Sequence, residues 1–144
     1  MSPVAYRSRS LDEFVPLLPS GLFKRLSSTD EGWVEICGDF HAYLAACRAS
    51  EPRMIVEMML AWPEARDDLF RQIPREEIFY VQVYCELAEL ERRELGREDR
   101  RAGLARSQFD RVYAFDGYDA RIDSTRISPD MCAEKLANLI QSRS

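Results

Sequence analysis

Two short and strongly apolar segments limit the folds that this chain can adopt. Residues 53–60 and 78–84 consist mostly of aliphatic, aromatic and β-branched residues, and a helical pattern follows each of them. An apolar run without alternation is typical of a strand that is buried on both faces of a sheet. Buried strands that alternate with helices indicate parallel pairing. We therefore predict an α/β fold built around a short parallel sheet.

The remaining elements follow from helix capping, glycine positions and periodicity. Ser10 and Ser128 each precede a helical pattern with acidic residues in its first turn, which is typical of an N-cap. Several glycines and a polar run predict a loop between residues 19 and 39. The other predicted elements are a short strand at residues 3–6, helices at 40–49, 63–70, 86–95 and 100–115, and a third strand at 118–123.

The composition excludes several kinds of site. The chain has 144 residues, enough for one domain, and 25 acidic against 20 basic residues give a net charge of −5. A single histidine, His41, excludes a multi-histidine zinc centre and would have to serve any Ser-His-acid triad. We predict that His41 is a partly exposed helix residue and that the protein forms no metal site. The four cysteines are predicted to be buried thiols in a reducing compartment, and Trp33 and Trp62 to be packing residues.

Charge and hydropathy also limit the partners. A net charge of −5 argues against nucleic acid and anionic membranes as partners. Residues 92–126 contain nine arginines but also seven interleaved acidic residues, which makes an RNA-binding helix a poor explanation. The chain starts without a secretion signal, and its most apolar stretch, residues 54–62, is too short to span a bilayer. We predict a cytoplasmic protein with no nucleic-acid or membrane partner.

A family resemblance extends over residues 78–141. It is carried by a strand that ends in Cys85, a helix, the sequence Gly-Arg-Glu-Asp-Arg from residue 96, and a last strand that reads Tyr-Asp-Ala-Arg-Ile-Asp-Ser from residue 118. These features resemble the chloramphenicol phosphotransferase family, whose members are P-loop kinases that phosphorylate a small-molecule hydroxyl with ATP. The resemblance implies an incomplete P-loop-kinase-like α/β fold with three layers and an arginine-rich helical lid at residues 92–115.

The resemblance also implies roles for individual residues. Three arginines match the lid arginines that would close over the nucleotide phosphates: Arg93, Arg97 and Arg100. Guanidinium groups suit this role because they contact phosphate oxygens in pairs. Glu57 stands in the place of an acid on the family's Walker-B-type strand, and the nucleotide base would be lined by Asp123, Ser124 and Thr125. ATP and Mg²⁺ are the implied cofactors, and a small molecule is the implied substrate.

Each of these residues also has a purely structural interpretation. Acidic residues are interleaved with the lid arginines, so the arginines could form a salt-bridged helix face. The three residues at 123–125 could cap a turn instead of lining a nucleotide site. If Glu57 is buried, its carboxylate must be paired or protonated.

The chain departs from the family at positions on which catalysis depends. The family's phosphate-binding loop, G-x-x-x-x-G-K followed by Ser or Thr, does not occur in this sequence, and neither Lys24 nor Lys135 follows a glycine. Arg9 stands where the family has a carboxylate that takes a proton from the substrate hydroxyl. An arginine cannot act as that base, because its pKa stays above about 12. The stretch between residues 38 and 53 is shorter than is usual in the family, so the substrate itself stays open.

These departures lead to two hypotheses. In the first, residues 1–144 are a single domain of the family that lacks the N-terminal strand and the phosphate-binding loop. Such a chain would bind ATP and Mg²⁺ without high affinity and would not transfer phosphate alone. The alternative is a non-catalytic remnant or interaction module. We expect the strands at 53–60 and 78–84 to pair directly, and the alternative is that a second copy or another chain completes the sheet.

Overall fold

A computed structural model describes residues 6–96 and 103–143 of the chain. The chain divides into two compact units, Met1–Ile78 and Phe79–Ser144. Each unit combines helices with one pair of parallel strands, so the predicted α/β class is confirmed. Within the described ranges, no helix is long and apolar enough to cross a membrane.

The first unit contains two strands and four α-helices in its described residues. In chain order they are β1 (Arg7–Ser10), α1 (Leu11–Phe14), α2 (Leu22–Leu26), α3 (Asp30–Cys47), β2 (Met54–Glu57) and α4 (Pro63–Gln72), with 3-10 turns at Val15–Leu17 and Arg75–Glu77. β1 and β2 are parallel, with Arg7 opposite Met54 and Ser10 opposite Glu57. The strand predicted at residues 3–6 lies outside the described residues, apart from Tyr6, which is not in a strand.

The second unit repeats the pattern of strand and helix. Its elements are β3 (Val81–Tyr84), α5 (Leu87–Leu95), α6 (Leu104–Val112), β4 (Ala120–Asp123) and α7 (Pro129–Ser142). β3 and β4 are parallel, with Val81 opposite Ala120 and Tyr84 opposite Asp123. α5 ends at Gly96 as predicted, and α6 covers the middle of the helix predicted at residues 100–115, of which residues 100–102 lie outside the described ranges.

Serine caps begin two helices, as the sequence predicts. The backbone N–H of Glu13 donates to Ser10 Oγ at 3.1 Å, and that of Met131 donates to Ser128 Oγ at 3.1 Å. Each serine thus satisfies one of the amides that have no partner at the start of a helix. Pro63 takes the first position of α4, where its missing N–H removes no helical hydrogen bond.

The loop predicted over residues 19–39 is wrong, because α2 and α3 occupy most of it. Thr29 accepts a hydrogen bond from the backbone N–H of Gly32 at 3.0 Å, so the polar run is a helix start. A Cβ atom added to Gly32 would overlap the carbonyl oxygen of Leu26 and lie 2.8 Å from its Cα atom. This glycine therefore permits the close approach of α3 to the end of α2.

One face of α3 forms the core of the first unit. Its largest fully buried side chains are spaced as on one side of a helix: Ile36, Cys37, Phe40, His41 and Leu44. α4 packs against α3 and buries Ala65 and Leu69. Trp33 stacks on Trp62 with a centroid distance of 5.8 Å, and Trp62 Nε1 donates to Asp30 Oδ1 at 3.2 Å. Both tryptophans are packing residues, as predicted.

The prediction that His41 is partly exposed is wrong, because its side chain is fully buried. Its Nδ1 lies 2.7 Å from Oδ2 of Asp68, which also accepts a hydrogen bond from Gln72, while Oδ1 of Asp68 accepts one from Arg71. Burial lowers the pKa of His41, against the opposing effect of Asp68. Partial burial would raise the pKa of Asp68, but its three donors outweigh that effect and hold the pKa below the ordinary value. At neutral pH the pair is a neutral imidazole that donates to a carboxylate.

β2 is not buried on both faces, contrary to the prediction. Ile55 and Val56 are 38% and 39% exposed, because β1 is the only strand in the described residues that pairs with β2. The deeply buried part of the apolar run follows the strand, at Leu60, Ala61 and Trp62. The predicted direct pairing of β2 with β3 is also wrong, since each described strand pairs within its own unit.

All four cysteines are free thiols, as predicted. Cys37 and Cys85 are buried, as predicted, but the predicted burial is wrong for Cys47 and Cys132, which are half-buried. Burial raises the pKa of Cys37 to about 11, with a further contribution from Asp68, so its thiol is protonated and inert at neutral pH.

Alanine at two glycines of α3 should change stability in opposite directions. Gly32→Ala drives a Cβ atom into the backbone of Leu26, and we expect the free energy of unfolding to fall by about 1–3 kcal/mol. Gly38→Ala is the matched control, because the nearest atom to its Cβ would be Asp68 Oδ2 at 3.7 Å. A helix interior favours alanine over glycine by about 1 kcal/mol. Urea denaturation measures both variants, and equal changes would contradict the close approach at Gly32.

The His41–Asp68 pair should make stability depend on pH. His41 and Asp68 both have lowered pKa values in the folded chain, so the unfolded chain binds more protons and acid favours unfolding. We expect the free energy of unfolding to fall below pH 6.5, the ordinary pKa of histidine, and again below pH 3.8, that of aspartate. His41→Asn should remove the first fall and retain the second, as urea denaturation at several pH values would measure. A wild-type chain whose stability exceeds that of His41→Asn by the same amount at pH 7 and pH 5 would contradict this account.

Candidate functional site

The carboxyl ends of β3 and β4 lie side by side in the second unit. Tyr84 is the last residue of β3 and stands opposite Asp123, the last residue of β4. Ligands of parallel sheets bind at this edge, because the loops that follow the strands meet there. The residues that follow are Cys85 and Glu86 after β3, and Ser124 and Thr125 after β4.

Side chains extend the strand pairing beyond the ends of the strands. The backbone N–H and the Oγ of Ser124 both donate to the carbonyl oxygen of Tyr84, at 2.7 and 3.0 Å. The backbone N–H of Glu86 donates to Thr125 Oγ1 at 3.0 Å. Ser124 is 9% exposed, so its position is fixed by burial as well as by hydrogen bonds.

Asp123 stabilises the turn after β4. Its Oδ1 accepts from the backbone N–H of Thr125 at 2.9 Å and from Thr125 Oγ1 at 2.5 Å. These two hydrogen bonds lower the pKa of the Asp123 carboxyl, and the nearby Arg121 and Arg126 add to the effect. The turn-capping interpretation of residues 123–125 therefore matches their contacts, and a nucleotide role for the same residues stays a prediction.

Arg93 reaches the turn after β4 from α5. Its Nη2 donates to the carbonyl oxygen of Ser124 at 2.8 Å, and its Nε donates to Glu89 Oε1 at 3.1 Å. The side chain is 38% exposed. The structure thus brings together one predicted lid arginine and one residue of the predicted nucleotide-binding turn, although they are far apart in sequence.

Glu89 on α5 contacts two arginines at once. Arg92 donates from Nε and Nη2 to its two carboxylate oxygens, at 2.8 and 2.5 Å. The hydrogen bonds from Arg92, followed by the single hydrogen bond from Arg93, lower the pKa of Glu89 to about 2. On the same helix, Glu91 pairs with Arg106 of α6 at 3.1 Å. These ion pairs match the alternative interpretation, in which the arginines of this segment belong to a salt-bridged helix face.

The two helices of the predicted lid are joined at their near ends. Glu94, only 7% exposed, accepts from the backbone N–H of Gly103 at 2.6 Å. Gly103 has a φ of +87° and precedes α6, a conformation that glycine adopts without steric cost. Arg97 and Arg100, the other predicted lid arginines, lie outside the described residues.

An aromatic group near the site was missed by the sequence analysis. Tyr113, at the end of α6, lies 4.9 Å from the ring of Tyr84, and Phe109 lies 5.0 Å from Tyr113. The Arg121 guanidinium stacks on Tyr84 at 4.0 Å. Burial raises the pKa of Tyr113. The spacing of Phe109 and Tyr113, four residues apart on a helix, was the available signal.

Two predicted site residues lie in the first unit. Arg9 donates from Nη2 to both carboxylate oxygens of Glu51 at 2.6 Å, which joins β1 to the turn that leads into β2. Glu57 is exposed at the end of β2, opposite Ser10, so its carboxylate needs no buried partner. In the ranges that the structure describes, no group of three or more His, Cys, Asp or Glu residues could hold a metal ion.

Comparison with known proteins decides the family. A family model described as chloramphenicol phosphotransferase-like protein matches residues 26–141. The chain belongs to this family. The match confirms the resemblance to the chloramphenicol phosphotransferase family. The matched residues include Glu57, Arg93 and the turn after β4, whereas Arg9 precedes them. A search of curated proteins found no match. The family is one of kinase-like phosphotransferases, which generally use a nucleotide and Mg²⁺ and act on small molecules.

Thr125→Val should raise the pKa of Asp123. The substitution removes a hydroxyl that donates to the Asp123 carboxylate and retains the β-branched shape and the backbone N–H donor. The remaining N–H donor should keep the pKa below the ordinary value. Carbon-13 NMR of the aspartate carboxyl during an acid titration measures this change. Thr125→Ser is the control, because it retains the hydroxyl, and a rise of the same size in both variants would contradict the assignment.

Proposed function

We propose that this protein acts in the ATP-dependent phosphorylation of a small-molecule hydroxyl, with residues 92–115 as the lid over the nucleotide. In this proposal the phosphates are met by Arg93, Arg97 and Arg100, and the base side is lined by Asp123, Ser124 and Thr125. The observation that carries it is the hydrogen bond from Arg93 to the carbonyl of Ser124. That bond holds the Arg93 guanidinium beside the carboxyl ends of β3 and β4, where a lid arginine could meet a phosphate.

The exposure and charge of this edge support nucleotide binding. Arg93 is 38% exposed, so a phosphate can reach its guanidinium from solvent. A planar guanidinium contacts phosphate oxygens in pairs, and such charge-assisted hydrogen bonds are stronger than neutral ones. Ser124, by contrast, is buried and supports the site through its backbone carbonyl.

We also propose that the 144-residue chain does not transfer a phosphoryl group by itself. Positioning and charge stabilisation provide most of the catalysis in phosphoryl transfer, and a phosphate-binding loop with its lysine contributes to both. Neither Lys24 nor Lys135 follows a glycine, and the guanidinium of Arg9 is engaged by Glu51. We therefore expect weak ATP binding without turnover.

Glu57 fits Mg²⁺ only as a partial ligand. Mg²⁺ is usually held by one or two carboxylates together with substrate phosphates and water. The exposed carboxylate of Glu57 at the end of β2 would supply one such ligand.

A non-catalytic interaction module is the alternative, and β2 favours it. Ile55 and Val56 expose more than a third of their surface, and β2 has only β1 as a partner in the described residues. Strands with an unpaired edge readily bind another strand. In this alternative, a second copy of the chain or another protein completes the sheet.

An ATP titration separates the two proposals. We expect the chain to bind Mg²⁺–ATP weakly and Arg93→Ala to lower the affinity about tenfold, as the loss of one charge-assisted hydrogen bond predicts. Arg106→Ala is the matched control, because Arg106 has the same charge, pairs with Glu91 instead of Glu89, and is 68% exposed. Isothermal titration calorimetry measures all three affinities.

A transfer assay completes the test. With γ-labelled ATP, Mg²⁺ and hydroxyl acceptors, the chain should give no labelled product above a protein-free control. Labelled product that requires Arg93 would contradict the proposed lack of turnover. An affinity that Arg93→Ala and Arg106→Ala lower equally would contradict the proposed role of Arg93. No ATP binding at all would favour the interaction module.

A further inference from the structure

Glu89 occupies the centre of the contacts that surround Arg93. It lies on α5, three residues before Arg92 and four before Arg93, so all three side chains share one side of the helix. Arg92 binds both of its carboxylate oxygens, and Oε1 accepts a third hydrogen bond from Nε of Arg93. The side chain of Glu89 is only 19% exposed, whereas that of Arg92 is 71% exposed.

Arg93 is consequently held at two points of its guanidinium. Nε is fixed by Glu89 on its own helix, and Nη2 is fixed by the carbonyl oxygen of Ser124 after β4. Two contacts on different elements define both the position and the plane of the group. A planar donor held in this way has already lost most of the conformational freedom that an ion would otherwise have to remove.

We propose that Glu89 is a positioning residue for Arg93, which it aims toward the phosphate groups of a nucleotide. This inference rests on the proposed function and identifies the residue that prepares its phosphate-binding group. Arg92 assists because its paired hydrogen bonds fix the Glu89 carboxylate in one orientation. Glu89 itself does not touch the ligand.

Positioning and simple electrostatics predict opposite effects when the charge of Glu89 is removed. A negative charge near a phosphate site repels the ligand, so its removal alone would strengthen binding. If Glu89 instead holds Arg93 in place, its removal frees the guanidinium and weakens binding. The sign of the change therefore distinguishes a positioning residue from a nearby charge.

Three variants on α5 separate the two effects. Glu89→Gln removes the charge and retains the size, and Glu89→Asp retains the charge but shortens the side chain by one methylene. We expect both to weaken binding of inorganic tripolyphosphate and of Mg²⁺–ATP about three- to tenfold. Glu91→Gln is the matched control, because Glu91 has the same charge and pairs with Arg106 instead of Arg93. It should change the affinity less than twofold.

NMR of the arginine side chains provides a readout besides affinity. The Nε–H of Arg93 should give a signal protected from exchange in the wild type and in Glu91→Gln. It should be less protected in Glu89→Gln, because a neutral amide oxygen accepts more weakly than a carboxylate. Circular dichroism and a thermal melt confirm that each variant is folded. Because Glu89→Asp and Glu89→Gln differ in charge, a folded variant of either kind is sufficient for the test.

The outcomes separate this inference from the proposed function. Equal or tighter tripolyphosphate binding by Glu89→Gln, or unchanged protection of the Arg93 Nε–H, would overturn the positioning role and leave the proposed function intact. If the wild type binds neither ligand, or Arg93→Ala binds as tightly as the wild type, the proposed function fails and this inference fails with it.

Discussion

The two hydrogen bonds from Ser124 to the carbonyl oxygen of Tyr84 determine the geometry of the second unit where the carboxyl ends of β3 and β4 meet. A carbonyl oxygen has two lone pairs, so it can accept from both the backbone N–H and the hydroxyl of Ser124. This contact continues the pairing of β3 and β4 beyond the last paired residues. The carbonyl oxygen of Ser124 can then accept a hydrogen bond from Arg93. The hydroxyl of Thr125 can likewise accept one from the backbone N–H of Glu86. Arg93, the predicted lid arginine, is thereby attached to a backbone carbonyl whose position is set by strand pairing.

The first unit depends on helix packing more than on its sheet. A pair of strands is marginally stable alone, and the side chains of β2 are largely exposed. The apolar burial lies between α3 and α4, where the buried face of α3 meets Ala65 and Leu69. The ion pair of Arg9 with Glu51 then fastens the sheet at its edge. The Arg9 guanidinium cannot act as a general base, and in this chain it connects β1 to the turn before β2.

Local signals in the sequence predicted the elements well, and tertiary contacts decided the rest. Ser10, Ser128 and Pro63 act within one helix turn, so their effects are visible in the sequence. Gly32 suggested a loop, because the sequence does not show that a side chain at this position would collide with the backbone of Leu26. The burial of His41 depends in the same way on Asp68, which is 27 residues away. At the site, the family resemblance led to Arg93 and to the turn after β4, but only the structure shows their contact. Glu89 was missed although its spacing to Arg93 predicts an ion pair, because helix-face pairs of this kind are common and carry no sign of a ligand.

The polar contacts between α3 and α4 have a consequence for how the core can change. Asp68 on α4 accepts a hydrogen bond from His41 on α3, and Gln72 on α4 donates to the backbone carbonyl of Gly38 at 3.3 Å. Two successive turns of α4 are therefore hydrogen-bonded to α3. Apolar side chains alone would allow one helix to slide along the other, since they have no preferred partner atom. A shift of one helical turn, about 5.4 Å, would break both contacts at once. The axial register of the two helices is therefore set by directional bonds, which leaves the apolar residues around them free to vary in shape without loss of alignment.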